Sequence, residues 1–110
     1  MAERTGKQDF EEKVLKSDLP VLVDFYSDSC IACKRLSPAL SRAEAALEGQ
    51  FRFYKVNTNF EEELTETYEI QSKPTLIVYC SGREAGRKTG VQKPDELIRW
   101  LEAFSESDNS

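Results

Sequence analysis

The run PVLVDFYS at positions 20–27 constrains the fold more than any other stretch. Its apolar side chains fall on successive residues rather than alternate ones. In a strand, neighbouring side chains point to opposite faces, so both faces of this one must be covered. Such a strand sits in a sheet between two helical layers. One residue breaks the run: Asp24, a carboxylate with Val23 before it and Phe25 after it.

The rest of the chain supplies the layers. TGKQDFEEKVLKSD offers Thr5 as an N-cap with Gln8 three residues on, and Phe10, Val14 and Leu15 fall on one helical face. A second helix is expected from Ile31 to about Leu47, ended by Gly49 and kinked by Pro38, which lacks a backbone donor. FRFYKVN alternates as a strand, and Asn59 is placed to cap a helix through FEEELTETY. TLIVYC is a further strand, turned at Ser81-Gly82 into EAGRKTG. Pro94 begins a last helix with Leu97, Leu101 and Phe104 on one stripe. The order predicts a mixed sheet between helices, as one domain over 1–104 with a frayed polar tail at 105–110.

Composition removes several functions. The 110 residues carry a net charge of -5, which disfavours nucleic acid, and no Lys/Arg run suits a membrane surface. Without histidine, imidazole acid–base catalysis and most zinc sites are excluded. The charged N-terminal segment has no signal-peptide core, and no apolar run is long enough to span a bilayer. A complete, cytoplasmic chain is the expectation.

Cys30 and Cys33 stand where the buried strand ends and a helix begins. There the first thiol lies beside unpaired N–H groups and the positive end of the helix dipole, which favour its thiolate. The second thiol, one turn on, can close a disulfide with it. Zinc would need four ligands, and the chain holds no second pair, so a metal would have to be shared between two chains. A redox pair is the better reading.

The run VDFYSDSCIACKRLSP resembles the active-site segment of the thioredoxin family, and SKPTLIVY resembles that family's cis-proline loop and following strand. KVN and SGREAGRKTGV match in place, so the likeness covers the chain from about Phe10 to Phe104. It implies an α/β thioredoxin fold: a central mixed sheet of four to five strands flanked by four helices, the N-terminal strand short or absent. It implies a protein-disulfide oxidoreductase with Cys30 as nucleophile, Cys33 as resolving thiol and Asp24 as proton acceptor. Lys55 would be the ionic neighbour of Asp24, and Pro38 the helix proline. Ser29, Ile31, Ala32, Lys73, Pro74 and Gly90 would form the substrate groove, with Pro74 cis and Tyr26 in an aromatic position nearby. Disulfide-containing proteins would be the substrates of a monomer. Electrons would come from a separate reductase, similar to thioredoxin reductase, and no cofactor would be bound.

Departures matter too. The family's usual Gly-Pro between the cysteines is Ile31-Ala32, and the Trp common before the first cysteine is Ser29. These changes put redox poise in question and keep open a rival reading, a thioredoxin-like interaction module with little redox activity. Lys55, on an alternating strand, is equally readable as plain surface. Cys80, at the far end of a strand of roughly 3.3 Å per residue, is expected roughly 20 Å from the pair and passive. Trp100 and Phe104 read as packing, and the runs Glu11-Glu12 and Glu61-Glu62-Glu63 as solvated faces.

Overall fold

The computed structural model describes residues 2–108 of the chain. A five-stranded mixed sheet runs in the order β1-β3-β2-β4-β5, formed by β1 (Glu3–Arg4), β2 (Val21–Tyr26), β3 (Arg52–Asn57), β4 (Thr75–Cys80) and β5 (Arg83–Thr89). The first three strands are parallel, and β4 and β5 join antiparallel. Strand β1 exists but is two residues long, held by the register Glu3↔Tyr54 and Arg4↔Lys55.

Both faces of β2 are covered, as its unbroken apolar run requires. Leu22 packs with Leu36, Ala39 and Ala43 of α1 (Ile31–Ala46) and with Leu97 and Leu101 of α3 (Pro94–Asp108). Val21, Val23 and Phe25 point the other way, into a cluster with Phe10, Val14 and Leu64. That cluster lies under a short π-helical turn, Glu11–Leu15, and α2 (Glu62–Thr67). Alternation along β2 therefore places Asp24 on the Leu22 side, beneath α1.

Several element starts differ from expectation. Thr5 does not cap a helix: its N–H donates to Lys55 O at 2.9 Å, continuing the β1–β3 pairing. The Asp9 carboxylate instead accepts from Thr5 Oγ1 and Gly6 N, and these bonds with Lys13 hold it far below the usual carboxylate range. The helical turn thus begins near Phe10, and Lys16 N–H reaches Glu11 O, five residues back. Likewise Asn59 does not cap α2. Asn57 Oδ1 accepts from Asn59 N–H, and Asn57 O accepts from Phe60 and Glu61, so an Asx turn at the end of β3 sets the helix start. Helix α3 runs to Asp108 rather than ending at Phe104, and positions 109–110 of the expected tail lie outside the described residues.

Candidate functional site

Cys30 is the N-cap of α1, and its Sγ accepts from Cys33 N–H at 3.1 Å. The two cysteines form a disulfide with Cα atoms 5.2 Å apart. They are unequal: Cys33 is buried, whereas Cys30 is half-exposed. A sulfur at a helix start, facing an N–H that has no intrahelical acceptor, is well placed to carry negative charge when reduced. Pro38 lies within α1, which continues past it; its ring leaves Lys34 O without the N–H that another residue would offer.

The loop leading into Cys30 is fixed from β3. Thr58 donates to Tyr26 O through both its N–H (2.8 Å) and its Oγ1 (3.0 Å). Asn57 Nδ2 donates to Asp28 Oδ2 at 3.1 Å, and Ser27 Oγ lies 3.4 Å from Ser29 Oγ. Asn57 and Thr58 carry no chemistry of their own, so sequence reasoning passed over them. The signal available was a pair of hydrogen-bonding residues closing a strand parallel to the one that ends at the cysteines.

On the other side stands the loop before β4. The Lys73–Pro74 peptide is cis, as the resemblance implied. Lys73 O lies 3.5 Å from Cys30 Sγ. Thr75 Oγ1 donates to Ser72 O at 2.5 Å and Gly90 N–H to Pro74 O at 3.0 Å, so the loop is held from both flanks. Gly90 has φ +84°, a conformation that side chains with a Cβ resist, and a Cβ there would meet nothing within 4 Å. The need is for backbone shape. Ile31 and Val91 are exposed beside the cysteine and Gly90 respectively.

Beneath Cys33 lies a cavity of about 250 Å³, lined among others by Asp24, Cys33, Lys55, Ser37 and Tyr26. Asp24 is 8% exposed, and its Oδ1 has no hydrogen-bond partner among the described protein groups. Burial pushes its carboxyl up to about 7, against the opposing pull of Lys55. Lys55 is the register partner of Asp24 on β3, and its ammonium sits 5.6 Å from the Tyr26 ring centroid. Asp24, Cys33, Lys55 and Tyr26 thus share one cavity, while Cys30 and Gly90 are half-exposed, Lys73 is exposed and Pro74 between them is buried. Ser29, Ile31 and Ala32 bracket Cys30 in the chain, Ala32 half-buried and the other two exposed. Cys80, half-buried and outside the disulfide, ends β4 opposite Arg83, while Thr75 begins that strand beside Pro74. It stands at the far end from the pair.

Comparison with known proteins agrees with this geometry. Residues 2–103 match the Thioredoxin family model. A thioredoxin of Rickettsia bellii is 37% identical over 101 residues, covering 92% of this chain and 96% of that protein. A thioredoxin-like protein of Synechocystis is 35% identical over 104 residues, covering 94% and 99%. Thioredoxin M4, chloroplastic, of Arabidopsis thaliana is 32% identical over 96 residues, covering 87% of this chain and 50% of that one. With a buried strand ending at a Cys-x-x-C helix, a cis-proline loop against the first sulfur and these relatives over nearly its full length, the chain belongs to the thioredoxin family and is a thiol–disulfide oxidoreductase.

Proposed function

We propose that the protein reduces or exchanges disulfides of protein substrates, with Cys30 attacking and Cys33 resolving. The observation that carries this division of labour is the contrast between a half-exposed Cys30 at the helix start and a buried Cys33 above the Asp24 cavity. The Cys30 thiolate attacks one sulfur of the substrate disulfide, forms the mixed disulfide and expels the other sulfur as a thiolate. Asp24 takes the proton from Cys33. The Cys33 thiolate then attacks Cys30 Sγ, the Cys30–Cys33 bond forms, and the second substrate thiol leaves. A carboxyl near 7 suits this exchange, since it can both accept and return a proton near neutrality.

The groove is Ser29, Ile31 and Ala32 on one side and Lys73, Pro74 and Gly90 on the other, open to an extended segment. No cofactor takes part, and a separate reductase, similar to thioredoxin reductase, restores the dithiol. The protein acts as a cytoplasmic monomer. Among the described residues, no helix is long and apolar enough to cross a membrane.

Trapping tests the roles. With Cys80→Ser as background, Cys33→Ser should hold substrates from a cell extract as mixed disulfides through Cys30. Cys30→Ser should hold almost none. Non-reducing against reducing gels give the count, and equal trapping by both variants would refute the assignment.

A further inference from the structure

The side chain of Lys73 has no part in the steps above. Its place is nonetheless well determined. Its carbonyl oxygen is 3.5 Å from Cys30 Sγ, and the bonds Thr75 Oγ1 to Ser72 O and Gly90 N to Pro74 O fix the backbone around it. Lys73 is exposed and makes no ion pair with any described residue. An ammonium on a flexible four-carbon stem is therefore anchored beside the reacting sulfur with its charge uncommitted.

Lys34 and Arg35, near the start of α1, are also exposed and make no ion pair within the described residues, but Lys34 lines the Asp24 cavity rather than the Lys73 loop. Some carboxylates of α2, its N-terminal flank and β5 have partners of their own. Glu61 accepts from Lys7 N–H and Glu63 pairs with the Lys7 ammonium. Glu84 is held by Arg87, which Glu69 also faces. Asp28 is the one acid of the Cys30 loop, and Asn57 binds it. Lys73 is thus an unpaired, exposed cation at the groove in a chain of net charge -5, while Ile31 and Val91 give apolar contact surface.

We propose that Lys73 is a specificity-determining residue, favouring disulfide substrates with a carboxylate beside the attacked cysteine and disfavouring those with a cation there. The inference rests on Cys30 as the attacking thiol. Lys73 O lies 3.5 Å from Cys30 Sγ, so when Cys30 bonds to the substrate sulfur a residue beside the substrate cysteine comes within reach of the long Lys73 side chain. An exposed pair is screened, so the effect is a factor of a few: about threefold gained by an acid and about threefold lost by a base at low salt.

Single-turnover reduction by the pre-reduced protein tests this without a reductase. Three symmetric peptide disulfides differ only in the residue beside each cysteine: Asp, Gln or Lys. Each rate constant is divided by that for uncharged dithiothreitol, because the neighbour also alters the leaving thiol itself. The normalised rates should fall in the order Asp, Gln, Lys, spanning about tenfold, and converge as salt rises from about 0.01 M to about 1 M. Lys73→Arg should keep the order and Lys73→Glu should reverse it. Equal normalised rates in the unaltered protein, or its order surviving Lys73→Glu, would overturn the proposal alone. Failure of the unaltered protein to reduce even the Gln peptide would overturn the assigned reaction as well.

Discussion

Changing Asp24 to Asn should make the oxidised protein's stability less dependent on pH, with a sign and size that follow from burial. The folded carboxyl ionises near 7 against an ordinary value of 3.8. Between those limits the folded chain binds more protons than the unfolded one, so stability falls as pH rises. Below about 3.8 both states are protonated and the group contributes no slope. Above about 7 both are ionised and the loss is complete. Three pH units at about 1.4 kcal/mol each give about 4 kcal/mol lost across the window.

Urea unfolding of the oxidised protein and of Asp24→Asn, from about pH 4 to about pH 9, measures this directly. The Asn amide carries its own desolvation cost, but that cost is the same at every pH. The difference between the two proteins should therefore grow in favour of Asn up to about pH 7 and then level off. Using the disulfide form keeps Cys30 and Cys33 from titrating. A difference that stays constant across the range would refute the reasoning, because it would mean that Asp24 ionises alike in both states.

Two further outcomes follow from the site's geometry. Gly90→Ala should destabilise the protein by about 1 kcal/mol, because φ is +84° while the space for a methyl is open; an unchanged urea midpoint would show that the loop adapts. Trp100 stacks edge-on with Phe104 at 5.2 Å and packs by Gly86 of the edge strand, with Lys88 over its ring. Its emission should change little on reduction with dithiothreitol, and a severalfold change would place it in contact with the disulfide.

The layers were legible because they depend on patterns along the chain. The successive apolar residues of β2 required cover on both faces, and Leu97 and Leu101 marked the stripe of α3 that supplies part of it. Element starts were less legible, since several residues could satisfy the same orphan N–H groups. Thr5 carries the right hydroxyl for a cap, yet β3 claims its N–H across the sheet and Asp9 claims its side chain. Asn59 carries the right amide, yet Asn57, two residues earlier, completes the turn first. In both cases a partner from another part of the fold, or a competitor close by, decided a choice that local chemistry left open.

The cysteine pair could be read from spacing, but what surrounds it divides by physical cause. Asp24 was visible because a carboxylate inside an apolar strand violates the pattern around it. It keeps its place at a cost in stability, which fits the proton-acceptor role proposed for it. Asn57 and Thr58 were not visible, because polar residues at a strand end violate nothing. Only the parallel pairing of β2 with β3, which sets Tyr26 opposite Asn57, brings them to the Cys30 loop. Residues that break a local rule can be found in one dimension. Those that obey it and act across strands emerge only from the register.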